Sequence, residues 1–149
     1  MLTGQLAVVA TPVRLIIDTD IGGGSCRDVD DVGALCLAHA LADRGELNIL
    51  AIVHNAGLRN GIGAVSVINH FYGHDVPLGA YKGKLGADLA ARGYVADLAN
   101  FSSPVKNYSQ VPEAHVLYRK VLAAQPDQSV VIAAHGFLMN LEHLLNSTA

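Results

Sequence analysis

The chain alternates short aliphatic runs with segments whose apolar residues recur every three or four positions. Val13 to Ile17 is largely β-branched and is closed by acidic and glycine residues, the pattern of a buried strand feeding a loop. Val32, Leu35, Leu37, Ala38, Leu41 and Ala42 then recur near helical spacing until Gly45, with Asp30 or Asp31 available as the N-cap. Asn48 to Val53 reads as a second strand, Ile62 to Tyr72 as a helix stopped by Gly73, and Val76 to Ala80 as a third strand. Residues 83–110 carry Gly83, Gly86, Gly93 and Pro104 among several Ser and Asn, and predict a long irregular excursion with one helical turn near Ala87 to Arg92. Helical spacing returns over Val111 to Ala124, followed by a strand over Ser129 to Ala134 and a helix over Leu138 to Asn146. There is no internal repeat.

This order predicts one α/β domain over residues 1–149, with a mostly parallel open sheet and helices on both faces. Right-handed crossovers place the strand C-termini on one edge, where open sheets of this kind bind their ligands. The residues that emerge there are Asp18 to Asp31, then His54 and Asn55, then Tyr81 and Lys82, and last His135 and Gly136.

Composition narrows the partner. A hydrophobic content of 51% with 15% charged residues demands a packed core. A net charge of −3 supplies no basic footprint for nucleic acid or an anionic membrane, so a small molecule is expected. No apolar run approaches the ~20 residues of a membrane span, and the expectation is a soluble protein. Its compartment stays open between cytoplasmic and secreted. Gln5 to Ala10 is too short and lacks the basic flank of a signal peptide, yet three glycosylation sequons begin at Asn100, Asn107 and Asn146. Cys26 and Cys36 lack the spacing of a zinc or redox motif and read as ordinary thiols.

The segment Asp18-Thr-Asp-Ile-Gly-Gly-Gly-Ser-Cys-Arg-Asp-Val-Asp-Asp places five carboxylates in fourteen residues at the end of an apolar strand. Crowded carboxylates raise one another's pKa, at about 1.4 kcal/mol per unit. Ca²⁺, which takes oxygen ligands, relieves that repulsion. Capping a helix would use one or two of the five. Gly22 to Gly24 allow the backbone to turn back so that Asp20 and Asp31 face one point. The spacing is not that of an EF-hand, which has alternating ligands, a sixth-position Gly and a terminal Glu.

These residues resemble the inosine-uridine preferring nucleoside hydrolases, which open with a strand, Asp-x-Asp, a glycine-containing turn and Asp-Asp. One branch reads Asp-Val-Asp-Asp followed by Gly-Ala-Leu, as Asp28 to Asp31 and Gly33 to Leu35 do here. Further similarity lies in Ile68 to Gly73, Val76 to Gly79, Tyr81 to Gly83 and Gly136-Phe-Leu-Met-Asn-Leu141. The resemblance implies a Rossmann-like nucleoside hydrolase fold and Ca²⁺-dependent hydrolysis of the N-glycosidic bond of a ribonucleoside. It further implies Asp20 as the general base that also touches the metal, Asp30 and Asn55 as ribose ligands, Asp31 as the principal Ca²⁺ ligand, and a metal contact from the Met139 backbone carbonyl. Family members run roughly twice this length, and their last metal carboxylate and leaving-group histidine come from the second half. The expectation is therefore a truncated fold and an incomplete site, with an exposed sheet edge that favours self-association.

Two alternatives stand beside this reading. One is a catalytically inactive truncated relative. The other is a haloacid-dehalogenase-type phosphatase, whose Asp-x-Asp motif wants Thr or Val where this chain has Gly22, and which leaves Asp28 to Asp31 unexplained. His39, His70, His115 and His143 fall on predicted helices and are expected as surface or satisfied histidines, whereas His54 and His135 leave strands at the ligand edge.

Overall fold

The computed structural model describes residues 11–23, 29–83, 93–98 and 100–148. Its elements are β1 (Val13–Thr19), α1 (Asp30–Asp43), β2 (Leu47–His54), α2 (Gly61–Phe71), β3 (Leu78–Ala80), α3 (Tyr94–Leu98), α4 (Ala114–Leu122), β4 (Val130–Ala134) and α5 (Met139–Asn146). The strands form one sheet in the order β3-β2-β1-β4, and every pairing is parallel. The expected α/β architecture with helices on both faces is what forms.

Two apolar cores flank the sheet. Leu15, Ile17, Ile49 and Ile52 pack with Leu35 and Ala38 of α1 and with Ile62, Val65 and Ile68 of α2. On the other face Ile16, Ala51 and Val53 pack with Ala114, Leu117 and Tyr118 of α4, joined by Leu141 and Leu144 of α5. Side chains alternate faces along a strand, so Asp18 follows Ile16 toward α4 and α5 while Thr19 follows Ile17 toward α1. A register shift between Leu15 and Ile16 places Ile49 and Ala51 opposite successive β1 residues and leaves Leu50 as an extra residue in β2.

Local chemistry explains where elements stop. Gly45 (φ +73°) donates its N–H to Ala42 O and Glu46 donates to Leu41 O, the paired bonds of a Schellman cap ending α1. Gly73 (φ +69°) and His74 close α2 in the same way, onto His70 O and Asn69 O. Strand β3 starts at Leu78 rather than Val76, because Pro77 has no N–H and joins the sheet only by accepting from Ile52 N at 3.0 Å. Helix α4 starts at Ala114 rather than Val111, since Val111 precedes Pro112 and is held extended. The α1 N-cap is Val29 and has no side-chain capping bond, so neither Asp30 nor Asp31 caps the helix. Leu37 is exposed, and the buried stripe of α1 runs through Asp31, Leu35, Ala38 and His39.

Within the predicted excursion lie α3 and a 3₁₀ turn over Tyr108–Gln110, while the helical turn expected over Ala87 to Arg92 falls outside the described residues. No helix among the described residues is long and apolar enough to cross a membrane.

Among the described strands β4 is an outer edge, and its Val131 is 51% exposed. An unpaired edge without a charged residue invites pairing with another chain. Val131→Lys is expected to shift the protein toward monomer in light scattering at raised concentration while its Tm stays nearly unchanged. Identical mass distributions for the two proteins would show that this edge does not drive association.

Candidate active site

The sheet winds outward from β1 through β2 to β3, then the chain returns past α4 to place β4 on the other side of β1. The switch point lies between β1 and β4, and the crevice beyond their C-termini is the ligand position of open α/β sheets. Asp18, Thr19 and Asp20 leave β1 there, and His135 and Gly136 leave β4. The two exits are stitched together by His135 N–H donating to Asp18 O at 2.9 Å, and β2 is joined by Asn55 N–H donating to Thr19 O at 2.9 Å.

Asp18 is fully buried on the α4/α5 face. Its Oδ1 accepts from Asn55 Nδ2 and Asn140 Nδ2, both at 2.9 Å, and its Oδ2 accepts from the Tyr118 hydroxyl at 2.9 Å. Burial outweighs these three donors and pushes its pKa up to about 6. The Tyr118 hydroxyl is pushed upward by burial and by the Asp18 charge beside it.

Asp31 reaches the opposite face of β1 from the first turn of α1. Its Oδ1 accepts from Thr19 Oγ1 at 2.5 Å and pairs with His135 Nδ1 at 2.7 Å. Burial opposes ionisation of Asp31, but hydrogen bonds from His135, Thr19 and Asp20 outweigh it and hold the carboxyl below its ordinary range. The bond to Asp31 raises His135 in turn, so the two form an ion pair whose shifts agree in sign.

Asp20 is half-buried and hydrogen-bonded to Asp31. Burial, that bond and the Asp31 and Asp30 charges raise it to about 6. The glycines make the convergence of Asp20 and Asp31 feasible. Gly22 adopts φ +75°, and the Gly23 N–H turns back onto the Asp20 carbonyl. From the β4 side Gly136 (φ +104°) leaves room for the Asp20 carboxyl, where a Cβ would come within 2.5 Å of its Cγ.

The structure thus brings Asp20 and Asp31 together, with Asp30 exposed at the rim and its charge acting on Asp20 and His135. Asn55 is engaged away from that point. Asn55 is fully buried, with Nδ2 on Asp18 and its Oδ1 accepting from Phe137 N at 3.4 Å. Met139 is the first residue of α5, three residues after Gly136, which packs against the Asp20 carboxyl. His54 is buried, with Nε2 donating to Ile21 O at 3.1 Å, and burial drives its pKa down to about 4. Asp28 lies outside the described residues.

Thr19 and Asn140 stand within the quoted motifs with no role assigned to them, and Tyr118, in the middle of α4, carried no signal in the sequence. No family model matches the chain, and no curated protein or solved structure matches it significantly.

The Asp18 shift has a definite sign. A carboxyl raised in the folded state gives stability that is complete below about pH 3.8 and lost as pH rises through about 6. Asp18→Asn keeps an acceptor for Asn55 and Asn140 and turns the Tyr118 hydroxyl into an acceptor. It should therefore leave stability at neutral pH unchanged or raise it, by up to about 3 kcal/mol, and flatten the acid-side profile. Asp18→Ala leaves two amide donors buried and should cost about 2 kcal/mol or more. Urea melts across pH check both, and equal losses for the two variants would refute the charge argument.

Gly136→Ala combines a left-handed backbone with a collision at Asp20. It should cost about 1–3 kcal/mol and perturb the Asp20 carboxyl resonance in NMR. An unshifted resonance would show that Gly136 does not seat Asp20.

Proposed function

We propose that this chain is a nucleoside hydrolase-like protein whose Asp20, Asp30 and Asp31 engage a divalent cation and the ribose of a ribonucleoside for hydrolysis of the N-glycosidic bond. The observation that carries the reading is the meeting of Asp20 and Asp31 at the β1/β4 switch point, across a turn that only glycines relax. The sequence pattern that resembles the nucleoside hydrolases supports it independently.

The donor chemistry fits a hard cation in part. Asp20 and Asp31 offer carboxylate oxygens close enough to share a proton, a crowding that a cation relieves. Among the described residues no group of three His, Cys, Asp or Glu is arranged to hold a metal, so the remaining ligands come from water, sugar hydroxyls or main-chain oxygens. The Met139 carbonyl keeps a second lone pair beside its helical hydrogen bond and is one such main-chain oxygen. Bound Ca²⁺ would supply positive charge to orient the sugar hydroxyls and acidify water.

The chain's own groups supply base chemistry. Asp20, raised to about 6, is ionised at neutral pH yet basic enough to take a proton from a water that attacks the anomeric carbon. As the carbon–oxygen bond forms, the carbon–nitrogen bond breaks with its electron pair on the departing nitrogen, which takes up a proton from solvent while Asp20 later returns the one it accepted, leaving ribose and a free base. Asp30 at the rim offers an acceptor for a ribose hydroxyl. Thr19 and His135 fix the rotamer of Asp31, the positioning that metal-binding carboxylates draw from their hydrogen-bond partners.

Asp31→Asn is expected to abolish Ca²⁺ binding in calorimetry. Wild-type affinity should fall as pH drops through about 6, because the cation competes with the proton on Asp20. Sugar release from inosine or uridine, lost in Asp20→Asn, would support the catalytic reading. Phosphate release from a phosphomonoester, or unaltered Ca²⁺ affinity in Asp31→Asn, would refute it.

A further inference from the structure

His39 was expected to be a surface or satisfied histidine, and it is neither. It lies on α1 about 12 Å along the axis from Asp31, fully buried, with its ring stacked on Tyr72 at 5.0 Å between centroids. Its Nδ1 is 2.7 Å from Nδ1 of His74, the residue that completes the Schellman cap of α2. His74 Nε2 in turn lies 2.9 Å from Asp43 Oδ1 in the last turn of α1. Asn69 donates through Nδ2 to Val76 O at 3.2 Å, which orients its amide oxygen, and that amide favours the charged form of His39. His39 Nε2 and Asn69 Oδ1 are both buried and complete no hydrogen bond.

Counting protons along this chain of groups gives an unequal result for its two charge states. Asp43 only accepts, so His74 Nε2 carries a hydrogen. If His74 is neutral, its Nδ1 is a lone pair and the single hydrogen of His39 must sit on Nδ1. That leaves His39 Nε2 as a buried lone pair near another, on Asn69 Oδ1, and each orphaned group carries its desolvation cost uncompensated. With one more proton, His74 donates from both nitrogens, to Asp43 and to His39. The His39 hydrogen then moves to Nε2 and points at Asn69 Oδ1. Donor and acceptor then alternate along the chain, and a small closure of His39 Nε2 on Asn69 Oδ1 completes it. Burial and the neighbouring His74 hold His39 itself below the ordinary imidazole value, in keeping with a single proton for the pair rather than two.

We propose that Asp43, His74, His39 and Asn69 form a proton-operated latch, in which one extra proton fastens the segment after α2 to α1. The fastened segment reaches Val76 and Pro77, whose carbonyls anchor Asn69 and the start of β3. It also walls a cavity of about 600 Å³ lined by Ser66, Asn69, His74, Asp75 and Gln110, so the latch sets the shape of that cavity. The other titratable groups around the pair are Cys36 on α1, whose thiol meets the Tyr72 hydroxyl, and His70 and Asp75 along the cavity wall. Arg44, next to Asp43, is taken by Glu46 at 2.7 Å. A shared metal ion does not account for the pair, because two imidazoles on one tetrahedral zinc stand about 3.3 Å apart at Zn–N bonds of about 2.0–2.1 Å.

Nitrogen-15 NMR of the full chain tests the proton count. At the acid end of the range in which the chain stays folded, both His74 nitrogens should be protonated, with His39 carrying only its Nε2 hydrogen. As the pH is raised one proton should leave, and protection of the His74 amide from exchange, corrected for intrinsic rates, should fall several-fold. His74→Gln should abolish that pH dependence. Should His74→Gln fail to fold, Asp43→Asn, at an exposed position, should move the loss of protection to lower pH. Two singly protonated rings at every pH, or pH-independent protection in the wild type, would overturn the latch. Zinc uptake that requires both histidines would overturn it too, by making the pair a metal site.

Discussion

The fold closes around one buried carboxylate. Asp18 accepts from Asn55 after β2, Tyr118 of α4 and Asn140 at the start of α5, while its own carbonyl receives His135 after β4. Four segments distant in sequence are therefore referenced to one residue of β1. Dehydrating the charge is costly, and the shift to about 6 records that the donors do not fully compensate. What the arrangement supplies is position, since an apolar residue at this point would pack against α4 without specifying the rotation of Asn55 or Asn140.

The catalytic candidates sit one residue further on, across the sheet. Because β1 alternates, anchoring Asp18 toward α4 and α5 presents Thr19 to Asp31 on the α1 side. Asp31 then gathers Thr19, His135 and Asp20. Two carboxylates with opposite shifts result, one held ionised and one held near neutrality, which is the separation of roles that acid–base chemistry uses.

Much of this was legible in the sequence, for physical reasons. The β-branched runs, the glycine stops at Gly45 and Gly73 and the helical recurrences marked the elements, and the acidic segment after Val13 to Ile17 marked the ligand edge. Side-chain partners at long sequence separation left no such trace. Nothing local in Tyr118 or Asn140 points at Asp18, about a hundred residues away or more. Asn55 has a polar side chain at the right edge, yet strand alternation sends it inward to Asp18 rather than outward to a sugar. The capping expectation failed because Asp31 had stronger partners across the sheet than in its own helix.

The extra residue Leu50 in β2 has an effect on how the chain tolerates insertions and deletions. Leu47 and Ile49 face the α1/α2 core, as do Ile52 and His54, so odd positions point that way before the bulge and even positions after it. The bulge acts as a phase shifter that brings Asn55 to the Asp18 side. A deletion of one residue in the surface turn after α1 would be absorbed by that turn. The same deletion at Leu50 would remove only the extra residue and leave Ile49 and Ala51 on opposite faces as they are, whereas one residue added between Ala51 and His54 would exchange the faces of His54 and Asn55, placing an imidazole at the buried carboxylate and an amide in the apolar core. The bulge thus lets β2 lose one residue without changing which side chains meet, but not gain one.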